Sequence, residues 1–189
     1  MAASTRIEHI FDHGGLHHCV MLFQTQDASS GAAYAESKIA SFKEGLRLEN
    51  SSILANVREF EEEANFQIQS IFPQLVVQQI QNSLAVRQLL PKGPQNFELI
   101  FNFFGYSDDS PEMVMHRIKQ ANLVGPAGLV SMEDTFATEL VQSGTVRAGD
   151  VFSVADLGRD ASDEDNAHSV ISEKPVRRFW CAYREVMGL

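Results

Sequence analysis

Apolar residues recur at two different periods along the chain. Between positions 34 and 66 they return every three or four residues, a spacing that predicts amphipathic helices. The residues that set this spacing are Ile39, Phe42, Leu46, Ile53, Val57 and Phe60. From Phe66 onward apolar and polar residues alternate, which is typical of strands. We therefore predict an antiparallel meander of about three strands over 66–106, with a turn at 91–96, where two prolines and a glycine cannot continue a strand.

Further helices are predicted after the strands. Ser110, Pro111 and Glu112 supply a capping hydroxyl, a first-turn proline and a carboxylate at the positive end of the dipole, so a helix is expected to about residue 122. A Gly-Pro-Ala-Gly break then precedes Ser-Met-Glu-Asp, a capping box that predicts a helix over about 131–142. An acidic surface loop is predicted over 150–173 and an amphipathic helix over 175–187. This order, without βαβ alternation, predicts an α+β domain in which long helices cover one face of an antiparallel sheet.

Composition and charge narrow the class of protein. With 189 residues, 44% of them hydrophobic, the chain is long enough for one globular domain with a buried core. Fifteen Lys and Arg against 25 Asp and Glu give a net charge of −10, which argues against nucleic acid as a partner. The apolar runs fall short of the roughly 20 residues that a membrane helix needs. Since residues 1–6 also lack the apolar core of a secretory signal, we expect a cytoplasmic protein.

Cysteine and histidine give weak signals for a metal site. Cys19 and Cys181 lie at opposite ends of the chain, too few for a four-cysteine zinc or iron–sulfur site, and we expect two reduced, partly buried thiols. Four histidines crowd into 9–18, but the Gly-Gly pair after His13 favours a turn with partly exposed histidines. A metal site here would need their side chains to converge at about 2.0 to 2.2 Å from one ion.

Asp134 allows two interpretations. It is the last residue of the predicted capping box, where its carboxylate would only cap the N-terminus of its own helix. It also follows a rigid Gly-Pro-Ala-Gly loop with apolar neighbours, a context in which the carboxylate could point into a cavity.

Five segments in order along the chain carry a family pattern. They are 81–94 (QNSLAVRQLLPKGP), 104–109 (FGYSDD), 122–128 (NLVGPAG), 131–134 (SMED) and 178–188 (RFWCAYREVMG). Together they resemble the catalytic domain of the large (alpha) subunits of Rieske-type aromatic-ring-hydroxylating oxygenases. The resemblance covers about 66–189, more faintly the region before it, and is nearest to the branch that acts on benzoate-like acids such as salicylate and anthranilate.

The resemblance implies a helix-grip (Bet v 1-like) fold, in which a curved antiparallel sheet wraps around helices. It also implies a mononuclear Fe(II) held by two histidines and one aspartate, with open positions for O2 beside an aromatic substrate. The matching carboxylate is Asp134. Val124, Leu129 and Val130 match positions that line the substrate pocket, although core packing would explain them equally well.

The family's partners follow from the same resemblance. Electrons would come from NAD(P)H through a reductase, often through a ferredoxin, to a Rieske [2Fe-2S] cluster and then to the iron. The product would be a cis-dihydrodiol or a phenol, and a β subunit and a trimeric assembly are possible partners of the chain.

The sequence also departs from the family pattern. The Asp-x2-His-x4-His segment that supplies two iron ligands is missing, because the residue three before His13 is Ile10. The Cys-x-His and Cys-x2-His pairs of the Rieske domain are missing as well. We therefore expect residues 1–189 to form a single, incomplete catalytic domain, the C-terminal part of a large subunit, that is inactive alone because one carboxylate cannot hold Fe(II) firmly. The alternative is a non-catalytic helix-grip module that binds an apolar small molecule.

Overall fold

The computed structural model describes residues 6–23, 49–60, 64–151 and 174–189. Within these ranges six strands form one antiparallel sheet whose spatial order follows the chain. The strands are β1 (Arg6–Asp12), β2 (His17–Phe23), β3 (Phe66–Ile71), β4 (Leu75–Ile80), β5 (Ser83–Pro91) and β6 (Phe97–Phe104). The helices that follow are α1 (Pro111–Val124), α2 (Leu129–Arg147) and α3 (Lys174–Met187). The predicted combination of helices with an antiparallel sheet is confirmed.

The hairpin between β4 and β5 was missed by the sequence prediction, which placed about three strands where the structure has four. Gln81 takes a left-handed backbone conformation, with φ 55°. The next residue, Asn82, is buried, and its side chain accepts a hydrogen bond from the Val57 amide (2.8 Å) and donates one to the Val57 carbonyl (2.7 Å). This distant contact fixes a turn that carries neither glycine nor proline.

The turn between β1 and β2 agrees with the prediction for the histidine-rich segment. A 3-10 turn over His13–Gly15 joins the two strands, and Gly14 and Gly15 both have positive φ, at 68° and 114°. A Cβ on Gly15 would lie 2.8 Å from the Cβ of Arg178. The glycine pair therefore allows both the turn and the close packing of α3 against it.

The helix starts were predicted with mixed success. Ser110 caps α1 as expected, its hydroxyl accepting a hydrogen bond from the Met113 amide at 3.2 Å. The capping box predicted at 131–134 is wrong, because α2 already begins at Leu129 after Gly128. The Ser131 hydroxyl instead donates to the Val124 carbonyl (3.2 Å), and α2 continues to Arg147 rather than ending near residue 142.

Three other predictions, for the helices over 34–66, the loop over 150–173 and the two thiols, need correction or lie partly outside the described residues. Over 49–60 the structure has only a 3-10 turn, Ser51–Leu54, followed by irregular chain, so the helix predicted through Ile53, Val57 and Phe60 is wrong there. The helix predicted over 34–48 and the loop over 152–173 fall outside the described ranges.

Both thiols are free as expected, but only Cys19 is buried and Cys181 is exposed. No helix in the described ranges has the length and apolar character to cross a membrane.

Candidate functional site

The register of the six strands assigns every side chain to one of two faces, because directly paired residues point to the same side. The face that carries Arg87 is called the inner face, and α3 packs against its edge at Phe11. Its residues are Ile7, His9, Phe11, His18, Val20, Leu22, Phe66, Ile68, Ser70, Val76, Gln78, Ile80, Ser83, Ala85, Arg87, Leu89, Pro91, Phe97, Leu99, Phe101 and Phe103. Arg178 of α3 lies over the Phe11 ring, 4.8 Å from its centroid.

Four buried side-chain nitrogen and oxygen atoms have no hydrogen-bond partner among the described residues, and all four belong to the inner face. They are His9 Nε2, Gln78 Nε2, Ser83 Oγ and Arg87 Nε. A buried polar atom without a partner costs about 1 to 3 kcal/mol, and native proteins keep few of them. Their concentration on one face marks it as the candidate functional surface.

Three of these residues are neighbours on adjacent strands. Ala85 is fully buried and pairs with Gln78 across the β4–β5 ladder, while Ser83 and Arg87 flank Ala85 along β5. Residues two apart on a strand are separated by about 6.7 Å, so the three polar side chains surround one small residue. We call Gln78, Ser83 and Arg87 the inner-face polar cluster.

Arg87 is the charged member of this cluster. Its guanidinium lies over the ring of Phe101, 5.7 Å from the ring centroid, on the paired position of β6. Burial lowers the pKa of Arg87, and the negative charge of Asp134 acts in the opposite direction. Arg87 and Asp134 do not form an ion pair.

Asp134 lies in the second turn of α2 with its side chain exposed. Within the described ranges no group of three or more His, Cys, Asp and Glu residues is arranged to hold a metal ion. These residues thus supply one carboxylate and not a complete ligand set.

The three residues predicted to line a substrate pocket lie close to Asp134 along the chain. Val124 is buried at the end of α1, whereas Leu129 and Val130 begin α2 and are exposed. The loop between them approaches the sheet closely, since a Cβ on Gly125 would lie 3.2 Å from the Phe103 ring. Their role in a pocket stays a prediction.

A cleft of about 610 Å³ opens between α1 and the ends of β5 and β6. Its lining is mainly apolar and includes Leu84, Phe103, Phe104, Tyr106, Val114 and Ile118. Ser83 of the inner-face polar cluster also borders it. Alternation in the sequence placed these residues on strands, but it could not show that the end of the sheet and α1 form a concave surface.

The histidine-rich segment forms a pair of imidazoles at the other end of the sheet. His9 Nδ1 and His18 Nε2 are 3.0 Å apart, and the His18 ring stacks on Phe11 with centroids 5.0 Å apart. Burial, and next the charge of His9, lower the pKa of His18 to about 4. In the described chain these two imidazoles have no third donor beside them, so a metal site in this segment gains no support.

A second polar cluster joins α1 to the β4–β5 hairpin. Arg117 is buried; its Nε and Nη2 donate to the Asp109 carboxylate at 2.8 and 2.9 Å, and its Nη1 donates to the Asn82 carbonyl at 2.5 Å. The Glu59 carboxylate accepts further hydrogen bonds from the same guanidinium. Hydrogen bonds from Arg117 lower the pKa of Asp109, and those carboxylates raise the pKa of Arg117. Sequence reasoning missed this cluster, since its members come from three segments that are distant along the chain: Glu59, Asn82 and 109–117.

Comparison with known proteins places the chain in a family. Residues 9–189 match the family described as the ring hydroxylating alpha subunit (catalytic domain). The chain therefore belongs to this family, as its five segments predicted.

Named relatives agree with this assignment. The chain is 55% identical over 174 residues to the anthranilate 1,2-dioxygenase large subunit of Burkholderia cepacia, covering 92% of this chain and 40% of that protein. It is 43% identical over 179 residues to terephthalate 1,2-dioxygenase, terminal oxygenase component subunit alpha 2, of Comamonas sp, covering 95% and 43%. It is 32% identical over 154 residues to the large oxygenase component of salicylate 5-hydroxylase of Ralstonia sp, covering 80% and 36%. The chain thus spans less than half the length of each of these relatives.

Proposed function

We propose that this chain is the C-terminal catalytic portion of an oxygenase large subunit that inserts oxygen from O2 into the ring of an aromatic acid. The observation that carries the proposal is the match of residues 9–189 to the ring-hydroxylating catalytic domain. The relatives are named for anthranilate, terephthalate and salicylate, which all carry a carboxylate on an aromatic ring. A helix-grip arrangement of the sheet around its helices is part of the same proposal.

Asp134 is the proposed carboxylate ligand of a mononuclear Fe(II). Its oxygen chemistry suits a hard divalent metal, and its side chain is exposed rather than tied into an ion pair. The described residues do not complete the site, so the proposal assigns the two imidazole ligands to the family's Asp-x2-His-x4-His segment, which residues 1–189 lack. Bound Fe(II) would supply the redox chemistry that activates O2.

The residues of this chain would bind and orient the substrate beside that site. Val124, Leu129 and Val130 are proposed to form apolar contacts with the flat ring and to keep water from it. The inner-face polar cluster lies on β4 and β5 and offers donors to a polar substituent.

The complete system is proposed to follow the family. Electrons would pass from NAD(P)H through a reductase or ferredoxin to a Rieske [2Fe-2S] cluster, which belongs to a domain separate from this one. A β subunit and a trimer are proposed partners, and the cytoplasm is the proposed compartment, in keeping with two free thiols.

Anaerobic titration with Fe(II) tests the assignment of Asp134. In the full-length protein, Asp134→Ala should weaken Fe(II) binding at least about 10-fold and abolish hydroxylation of an aromatic acid, since loss of a mere outer-shell group already costs 10- to 100-fold. Glu133→Ala is the matched control, because Glu133 is the adjacent exposed carboxylate on the same helix.

Two results would contradict this proposal. Equal Fe(II) affinity in the Asp134→Ala variant and the wild type would remove the ligand role of Asp134. Tight binding of Fe(II) and hydroxylation by residues 1–189 alone would show that the imidazole ligands lie within this chain. Unchanged binding of an aromatic ligand without any Fe(II) binding would instead favour the non-catalytic module.

A further inference from the structure

The cleft between α1 and the ends of β5 and β6 has the size of a small-molecule site. Its volume is about 610 Å³. Pockets that bind small molecules usually hold about 300 to 1,000 Å³. Ser83 and Leu84 are buried and form its deepest part, whereas the partly exposed Phe103 lines its open side. Of the residues proposed above to bind iron or the aromatic acid, only Ser83 borders this cleft.

Two aromatic rings of the cleft are held in place by their neighbours. The Phe103 ring packs against the loop after α1, since a Cβ on Gly125 would lie 3.2 Å from it. The guanidinium of Arg117 lies over the Tyr106 ring, 5.2 Å from the ring centroid. Rings in fixed positions favour a flat, apolar partner, because a preformed site loses little entropy when it binds.

The charged groups of the cleft are already paired with each other. Arg117 Nε and Nη2 donate to the Asp109 carboxylate at 2.8 and 2.9 Å, and both side chains are buried. An anionic ligand would gain no free cation from this pair, and the net charge of −10 opposes its approach. The cleft therefore favours a neutral molecule.

Ser83 supplies an unused hydrogen-bonding group at the buried end of the cleft. It is 1% exposed, and its Oγ has no partner among the described residues. Phe103 pairs with Ala85, two positions after Ser83, so the hydroxyl and the Phe103 ring point to the same side of the sheet. A serine hydroxyl can donate and accept, so a hydroxyl or carbonyl group of a ligand would complete its bonding.

We propose that this cleft binds a neutral aromatic molecule that carries one hydroxyl or carbonyl group. The ring lies between α1 and β6, and the polar group bonds to Ser83 Oγ. This site goes beyond the proposed hydroxylation of an aromatic acid, because its ligand is uncharged and contacts another set of residues.

The test compares 2-naphthol with naphthalene, which has the same two rings without the hydroxyl. Equilibrium dialysis measures the dissociation constant of each compound for the full-length protein, in the wild type and in Ser83→Ala, Ile118→Trp and Lys119→Trp. Ile118 is exposed and lines the cleft, so a tryptophan there should fill the cleft without disturbing the core. Lys119→Trp is the matched control, since Lys119 is the next exposed residue on α1 and does not line the cleft.

We expect the wild type and Lys119→Trp to bind both compounds, with 2-naphthol the tighter ligand. Ser83→Ala should weaken 2-naphthol binding by about 3- to 10-fold, the factor for one neutral hydrogen bond, and change naphthalene binding by less than about 2-fold. Ile118→Trp should weaken the binding of both compounds by at least about 10-fold, because the indole occupies their place.

Other outcomes would overturn the proposal. Equal losses for 2-naphthol and naphthalene in Ser83→Ala, or no loss for either, would show that the Ser83 hydroxyl does not bond to the ligand. Unchanged binding in Ile118→Trp would place the ligand outside the cleft, and an equal loss in Lys119→Trp would show that filling the cleft is not the cause. A wild type that binds neither compound would show that the cleft is not a ligand site in the full-length protein.

Discussion

Arg117 and Arg87 are two arginines with buried nitrogen atoms, and they differ in how their hydrogen bonds are completed. Arg117 binds Asp109, Glu59 and a backbone carbonyl, so every part of its guanidinium has an acceptor. Arg87 has an aromatic ring beneath it and a buried Nε without a described partner. The same residue type thus forms a structural joint in one place and keeps a buried donor without a described acceptor in the other.

The contrast extends to the residues around each arginine. Around Arg117, Asn82 and Gln120 are buried and bonded, the Gln120 Oε1 accepting from the Asn82 amide at 2.9 Å. Around Arg87, Gln78 and Ser83 are equally buried but each keeps an atom without a described partner. Satisfied polar groups rigidify a fold, whereas unsatisfied buried ones lower its stability.

The largest expected effect compares the two arginines directly. Arg117→Gln should lower the free energy of unfolding by about 3 kcal/mol, because it leaves Glu59 and Asp109 buried without their cation. Arg87→Gln should change the free energy of unfolding by less than about 1 kcal/mol, since it removes the contact with the Phe101 ring but no described ion pair. Urea denaturation of both variants measures the difference, with Lys119→Gln on the exposed side of α1 as the control. Equal destabilisation by the two arginine variants would contradict the distinction between an arginine with described acceptors and one without.

Asn82 belongs to the bonded polar cluster around Arg117 and tests how much that cluster stabilises the fold. Its amide binds both backbone groups of Val57 and the Glu59 carboxylate at 2.6 Å. Asn82→Ala should therefore destabilise the protein by about 2 kcal/mol, seen as a lower denaturation midpoint with an unchanged slope. A variant as stable as the wild type would mean that these bonds do not hold the segment 55–60 on the hairpin.

The histidine pair adds a pH-dependent element on the inner face. The pKa of His18 is lowered to about 4 from 6.5, so the unfolded chain binds a proton more readily between those values. The contribution of His18 to the free energy of unfolding should be fully present above pH 6.5. It should fall by about 1 to 2 kcal/mol as the pH drops toward 4, after allowance for partial exposure of the ring. His18→Phe keeps the stacking on Phe11 and should flatten this decline. An unaltered decline in that variant would assign it to other groups.

The smallest expected effect concerns the unsatisfied cluster. Ser83 is buried, and its Oγ has no partner among the described residues. Ser83→Ala removes an unpaired hydroxyl and should change stability by less than about 0.5 kcal/mol in either direction. Calorimetric melting measures the stability loss of this variant and of Ser110→Ala. Ser110→Ala is the reference, because it removes a bonded helix cap worth about 1 kcal/mol. A larger loss at Ser83 than at Ser110 would show that its hydroxyl has a structural partner.

Local chemistry made some elements predictable from the sequence. The Ser110-Pro111 start of α1 and the Gly14-Gly15 turn follow from capping and from positive φ, which depend only on neighbouring residues. The hairpin at Gln81 does not, because Asn82 is held there by Val57, 25 positions away. The start of α2 was misjudged for a similar reason, since the Ser131 hydroxyl binds the end of α1 instead of its own helix.

The candidate site was less predictable than the fold. Asp134 was found through the family pattern, and its exposed position on α2 could not have been inferred from spacing. Arg87 was overlooked because an arginine between apolar residues on a strand suggests nothing by itself. One signal could have found it: strict alternation puts Arg87 on the same face as Ala85 and Leu89, where a cation is out of place.

The account depends most on whether Asp134 is a ligand of Fe(II). Anaerobic Fe(II) titration of the full-length protein and of its Asp134→Ala variant measures this directly. We predict Fe(II) binding at least about 10-fold weaker in the variant than in the wild type. Equal Fe(II) affinity in the two proteins would contradict the account.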